Sequence, residues 1–447
     1  MHDPTHDYLE QCRAEHSMLR SVVDRLDLPP RFRAAYAGRL TSRPFFARES
    51  VLRDLTRDLA ALYDLLTSLP ERLFDGDVAR YAEALNIPPV EAGLMRRVDD
   101  RRPSLHARAD FYRDGDSFTL LELNIGSQLG GIDLAAMSRA LLHDEEFAQF
   151  AGRHGLRHGD QGAELVASVR EAADAAGIIG DPTVALVEAD GTFARYPLVF
   201  AAIEEMLLAL GLRVLPAELG EVSTRDGRVQ VRGEGIDVVL RFFSPDQIAD
   251  DQHALSLVHD ILKLHERGAV TVFTPLEHYL YSNKGTFALL SAARSRGLLD
   301  RHEQALVDRL LPWTHLLTED RAQVDGQDVD ALEYCCEHRT DLIVKPAADF
   351  AGNGVVAGWE CESREWAELL RDRRTRGGVV QRRVVPCPEE VVDPLTGETA
   401  ELVGNWGVYL THRGLAGSHV RAQPADSGAV ISFGGNTATT MSPVMYA

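Results

Sequence analysis

The sequence predicts an α/β protein of mixed (α+β) organisation led by a helical N-terminal region. Three observations carry this. Apolar residues recur at helical spacing through the first hundred positions, strand and helix patterns alternate between residues 183 and 275, and short apolar strands with Gly-rich turns fill the last third.

In the first region, Leu9, Cys12, Leu19, Val22, Val23 and Leu26 predict a helix over 8–27, and Leu52, Leu55, Leu59, Leu62, Leu66 and Leu69 predict one over 50–69. Pro29-Pro30 and Pro88-Pro89 punctuate the region. From residue 104, "SLHARADFYRDGDSFTLLELN" reads as two strands joined by a turn at Asp114–Asp116, and a helix is expected from about Asp133 to Leu142.

Residues 183–243 read as strand, helix, strand, hairpin and strand, an arrangement like half of a doubly wound sheet. "AVTVFTP" continues as strand and "NKGTFALLSAA" as helix. Strands are expected at "TDLIVKPA", "NGVVAGWE", "GGVVQRRVV" and "NWGVYLTH", while "DRRTRGG" and "PCPEEVVDPLTGET" read as surface loops. The closing "ISFGGNTATTMSPVMYA" has two readings: Gly434, Gly435 and Asn436 form a phosphate-facing turn near Arg421, or a tight turn before a disordered tail.

The 447-residue chain is 45% apolar and 26% charged, a globular composition. Its net charge of -21 argues against non-specific nucleic-acid binding, because an acidic surface repels the phosphate backbone. No run approaches the ~18 apolar residues of a membrane helix, and the polar N-terminus has no signal-peptide pattern, so a cytoplasmic location without a membrane partner is expected. The five cysteines, 12, 335, 336, 361 and 387, have neither metal-ligand spacing nor an evident pairing and read as small hydrophobes.

Alternation along "LLELN" puts Glu122 and Asn124 on one strand face, with Leu121 and Leu123 on the other. A tight turn brings Asp110 and Arg108, which share a face of the preceding strand, alongside them. Three oxygen donors of this kind suit Mg²⁺, which is held by few carboxylates plus phosphates and water; taken alone, they read more simply as a solvated hairpin face, where Asp and Glu are commonplace.

Lys284 in "SNKG" opens a helix, and Lys345 ends an apolar strand followed by a loop holding Gly352 and Gly354. A strand lysine reaches phosphates as a compact charge and a glycine loop closes over them with backbone N–H groups. Read singly, each lysine is also a surface residue beside a turn. Arg108 and Arg421 suit a transferring phosphoryl group or plain salt bridging.

Taken together, "RADF", "LLELN", "SNKG", "VKP" and the late arginine resemble the glutathionylspermidine synthetase family of circularly permuted ATP-grasp ligases, from about residue 100 to the C-terminus. In the standard order the metal strand follows the lysine strands; here "ELN" precedes "VKP". The resemblance implies an ATP-grasp fold in permuted order with a Rossmann-like pre-ATP-grasp domain. It divides the chain into 1–100 (helical), 101–180 (Mg-binding part), 181–275 (Rossmann-like substrate domain) and 276–447 (ATP-grasp lobes with lysines and flap).

The resemblance also implies ATP and Mg²⁺ as cofactors. Asp110, Glu122 and Asn124 would bind the metal, and Lys284 and Lys345 the phosphates. Gln381 would sit at the adenine hinge, Gly352 and Gly354 in the flap, and Arg108 and Arg421 on the transferring phosphoryl group. "ADFAGNG" departs from the family's more charged flap motif, and the first hundred residues show no Gly-Cys nucleophile of a papain-like amidase.

The activity so implied is amide formation between a small carboxylate and an amine (amino acids, short peptides or polyamines) through an acylphosphate, giving ADP and Pi. The Arg-rich, Ala/Asp-rich composition suits a ligase of bacterial specialised metabolism. Two rivals are a catalytically silent nucleotide-binding protein and a Mg-dependent kinase or phosphatase acting on a small metabolite. Formation of amide, of no product or of a phosphorylated product separates the three.

Overall fold

The computed structural model describes residues 3–95, 104–348 and 352–447. Three sheets organise it. The largest has eight strands, in the order Phe45–Ala47, Thr440–Tyr446, Gly414–Pro424, Thr399–Thr411, His106–Asp114 and Ser117–Ile125, with Pro388–Val392 and Arg157–His158 paired to two of these. Except for the parallel pair Phe45–Ala47 and Thr440–Tyr446, these pairings are antiparallel.

A second sheet of four parallel strands runs Thr271–Phe273, Val238–Arg241, Val184–Glu188, Val214–Glu218. Its strand Val184–Glu188 is buried at every position, as expected of a parallel strand covered on both faces. The helices Gln161–Ala175 and Pro197–Ala209 contribute Leu165, Val169, Ile203 and Leu207 to the core on one side, and Gln252–Glu266 packs Val258, Ile261 and Leu262 into the main core. Asp160 caps the first of these helices by accepting from Ala163 N.

The third sheet, antiparallel, is Thr314–Leu316, Gly378–Arg382, Leu342–Pro346, Val356–Ala357.

The early hairpin forms as the sequence predicts, turning at Gly115 with φ +59°. The helix after it is Ala135–His143. Elsewhere the chain departs from the reading. The expected helix 8–27 is Pro4–Arg13 followed by two 3₁₀ turns, because the polar run Arg13–His16 offers no buried face and His16 takes a left-handed backbone, φ 65°. Its apolar residues are still buried at Leu9, Cys12, Leu19, Val22 and Leu26.

The helix expected over 50–69 extends over Glu49–Phe74. "DRRTR" is the last turn of the helix Ser363–Arg376, and "PEEVV" is a strand rather than a loop. "NGVVAGWE" narrows to Val356–Ala357 and a 3₁₀ turn.

The C-terminus is no disordered tail: Thr440–Tyr446 lies inside the large sheet, with Met441, Val444 and Met445 buried. A strand gains its partners from distant sequence, so local polarity does not reveal it. Among the described residues, no helix is long and apolar enough to cross a membrane. All five cysteines are free; Cys12 and Cys335 are buried and the others half-buried.

Candidate active site

A cleft of about 800 Å³ opens between the three sheets. One wall is the face of the early hairpin and the strands beside it. Arg108 pairs with Asn124 in register and Asp110 with Glu122, while across the other edge Tyr409 faces Arg108 and Gly407 faces Asp110. Gly407 is required by close approach: a Cβ there would stand 2.8 Å from His419 Cε1 and 3.1 Å from Arg108 Cδ.

After Asp110 the register slips, leaving Leu121 without a partner. Such a bulge bends the strand and re-aims its side chains. Leu121 therefore lines the cleft with Glu122 and Asn124, contrary to simple alternation, and of the two leucines flanking Glu122 only Leu123 packs in the core behind.

Asp110 is buried at 4% exposure and fully engaged. Arg108 donates Nε at 2.8 Å and Nη2 at 2.9 Å to its two oxygens, Arg421 Nη2 lies 2.7 Å from Oδ2, and Asn124 Nδ2 donates to Oδ2 at 3.3 Å. Burial alone would raise this carboxyl, but the two guanidiniums hold it well below the usual range. Arg108 Nη1 also donates to Gly130 O at 3.0 Å, and Tyr409 Oη donates to the same carbonyl. Among the described residues, buried Arg421 Nε and His419 Nε2 have no hydrogen-bond partner.

The opposite wall carries the lysines. Lys345, near the end of Leu342–Pro346, donates to Gln381 Oε1 at 2.6 Å and to Leu121 O, beside the bulge, at 3.2 Å. Gln381 in turn donates to Thr314 Oγ1 at 3.1 Å. Burial lowers the Lys345 ammonium to about 8, with Glu122 opposing the shift and Lys284 adding to it. Lys284, which precedes the helix Gly285–Ser295, sets Nζ 3.7 Å from Glu122 Oε2, and its N–H bonds Ala347 O at 2.9 Å.

The structure thus brings Arg108, Asp110, Glu122, Asn124, Lys345, Gln381 and Arg421 onto one cleft, with Lys284 against Glu122. Gly352 also lines it, with φ +77°; Gly354 lies beyond, its backbone carbonyl accepting from Arg373. The flap residues Asp349, Phe350 and Ala351 lie outside the described residues. Of the C-terminal turn, Ser432, Phe433 and Gly434 line the cleft.

Sequence reasoning passed over Asn405, Tyr409, His419 and Glu188. Asn405 and Tyr409 fall on "NWGVY" and His419 two residues before Arg421, so that alternation puts each with the site; Glu188 is the acid ending the apolar strand "VALVE".

Among the described residues no three His, Cys, Asp or Glu side chains cluster as a metal site. The donors present are two carboxylates and an amide, of which Asp110 is already occupied by arginines. Glu122, facing the cleft, and Asn124, whose Nδ2 is turned to Asp110 and whose Oδ1 is thus left for a ligand, remain. This hard-oxygen set fits Mg²⁺ held partly by phosphates.

No protein-family model and no curated protein matches the chain. Its fold is similar to that of a glutathione synthetase-like effector from Globodera pallida in apo form, with a TM-score of 0.55 and 10% identity, over 100% of this chain and 98% of that one. Weaker likenesses are to a protein carrying the name gamma-glutamylcysteine synthetase from Methylobacillus flagellatus (TM-score 0.40, 13% identity, 86% and 85% of the two chains) and to D-alanyl-alanine synthetase A from Vibrio cholerae (TM-score 0.31, 14% identity, 52% and 68%).

Proposed function

We propose that this protein is an ATP-dependent carboxylate-amine ligase with a permuted ATP-grasp arrangement. The observation that carries the reading is the approach of Lys284 and Lys345 to Glu122 across a cleft whose facing wall holds Arg108, Asp110 and Arg421. The shared fold with a glutathione synthetase-like protein is consistent with it.

In this reading a substrate carboxylate oxygen attacks the γ-phosphorus of ATP, the bond to the bridging oxygen breaks and ADP leaves. The amine lone pair then attacks the acylphosphate carbon, phosphate departs with its electron pair, and the nitrogen gives up a proton. Glu122 and Asn124 Oδ1 would hold Mg²⁺ together with the phosphates, with Asp110 behind them fixing Asn124 and the arginines, and the ion would supply charge neutralisation there.

Lys284 and Lys345 hold the β- and γ-phosphates as point charges. Arg421, with its buried unpartnered Nε, and Arg108 stabilise charge on the transferring group, fixed in place beforehand by Asp110. Gln381 sets Lys345 at the phosphate end of the strand expected to border adenine, and Gly352 and Gly354 belong to the covering loop. Residues 101–180 then carry the metal face, 181–275 a Rossmann-like substrate domain and 276–447 the ATP-grasp lobes, with 1–100 as the helical N-terminal region.

The test is ADP release from MgATP over a panel of carboxylates and amines, with mass spectrometry of the product. An amide product and loss of turnover in Glu122→Gln, with folding retained, are expected. A phosphorylated product without amide, or full activity in Glu122→Gln, contradicts the reading.

A further inference from the structure

The far end of the same cleft is built from the parallel sheet, and the phosphate chemistry leaves it unused. Glu188 ends the strand Val184–Glu188 at its carboxyl edge, where open parallel sheets bind ligands. The residue is 1% exposed, and its carboxyl accepts Ala189 N–H at 3.0 Å and lies 3.5 Å from Gln128 Nε2. Among the described residues no lysine or arginine forms an ion pair with it. Burial pushes it up to about 8, partly offset by Ala189 N–H, Arg241 and Thr192 and reinforced by Glu218. A buried carboxyl in this state is stabilised as the anion when a cation docks.

The loop carrying Gln128 ties this end to the reaction centre, because Gly130 two residues on accepts from Arg108. Thr192, which favours the Glu188 anion, begins the short helix Thr192–Arg195, so Arg195 stands one turn further along the same face. Arg195 lines the cleft, is exposed, and has no carboxylate partner among the described residues. Beside it Val199, Phe200 and Ile203 present one face of the helix Pro197–Ala209, and Phe242 completes an apolar wall, its ring 6.3 Å from that of Phe200.

A buried acid, an exposed guanidinium one turn away that lies 5.2 Å from the Tyr196 ring but has no carboxylate partner among the described residues, and an apolar wall match the three parts of one kind of molecule. We propose that this end of the cleft binds an apolar α-amino acid, its ammonium on Glu188, its carboxylate on Arg195 and its side chain against Val199, Phe200, Ile203 and Phe242. That it serves there as the amine substrate rests on the ligase reading; the binding itself does not. A polyamine would leave Arg195 and the apolar wall without a role.

Calorimetric titration of the full chain, with Mg²⁺ and a non-hydrolysable ATP analogue present, tests this with L-leucine, L-phenylalanine, L-serine, 3-methylbutylamine and spermidine as probes. Leucine or phenylalanine binds at least ten-fold more tightly than serine or spermidine. Glu188→Gln weakens that binding ten-fold or more. Arg195→Met, an exposed change that spares folding, weakens leucine ten-fold but leaves 3-methylbutylamine within two-fold. Absence of leucine and phenylalanine binding, preference for spermidine, or an unchanged Arg195→Met overturns the proposal. Hydroxylamine trapping separates the two readings: leucine binding without hydroxamate from MgATP and any carboxylate keeps the pocket and removes the ligase, whereas hydroxamate without leucine binding does the reverse.

Discussion

The two walls of the cleft treat buried charge in opposite ways. On the hairpin wall Asp110 is matched by two guanidiniums and an amide, so its charge is compensated before any ligand arrives. On the lysine wall the buried Lys345 ammonium is held by a neutral amide and a backbone carbonyl, and the nearby charges of Glu122 and Asp110 do not fully offset its burial. Asp110 is thus a finished unit, and Lys345 is a buried cation that its neighbours only partly offset. A cleft with an under-compensated Lys345 on one side and arginines fixed by Asp110 on the other is suited to a polyphosphate between them.

The contrast is broken most severely at Asp110. Asp110→Ala leaves Arg108 and Arg421 buried without their counter-ion, and a loss of about 3–5 kcal/mol in chemical denaturation is expected, as for breaking any buried pair from one side. A loss below about 1 kcal/mol would mean that this wall is not the compensated unit described.

The lysine wall should respond in the other direction. Lys345→Met removes a charge that burial already disfavours, so stability at pH 7 stays within about 1 kcal/mol of wild type or rises, while ATP binding weakens by roughly ten-fold or more through loss of a charged hydrogen bond. A destabilisation as large as that of Asp110→Ala would erase the distinction.

A proton measurement sharpens it. The Lys345 ammonium sits at about 8 in the free protein, and an anion beside it raises that value toward the ordinary 10.5. Nucleotide binding therefore takes up protons between pH 8 and 10, and little near pH 6, which calorimetry in buffers of different ionisation enthalpy reads directly. The linkage to folding has the matching sign: a depressed lysine disfavours the folded state below its folded pKa, and this penalty fades as pH rises through about 8 toward 10.5. Lys345→Met abolishes both effects.

The smallest effect concerns packing behind the reactive face. Gly407→Ala brings a methyl to within 3 Å of the His419 ring, and a loss of about 1–3 kcal/mol is expected from overpacking.

How much of this was legible follows the range of the interactions. The hairpin, the parallel unit and the strand carrying Lys345 are written in local periodicity, and each appears where the sequence puts it. Features set by distant partners were not legible. Phe45–Ala47 and Thr440–Tyr446 are strands only because they pair with each other and with the strand Gly414–Pro424.

Leu121 faces the cleft because the bulge turns it there. The Asp110–Arg421 pair joins two strands that a third strand separates, and no residue pattern announces it. Glu188 was readable in principle, as an acid closing an apolar strand, yet its burial depends on the loop and helix that fold over it.

The central claim is that Lys284 and Lys345 await the phosphates of ATP. Equilibrium titration of MgATP into wild type and the Lys284→Met/Lys345→Met double variant tests it most directly. Saturable binding by wild type, weakened at least 100-fold in a double variant that melts cooperatively, is the predicted result; equal affinity in the two proteins, or no binding by wild type, would contradict it.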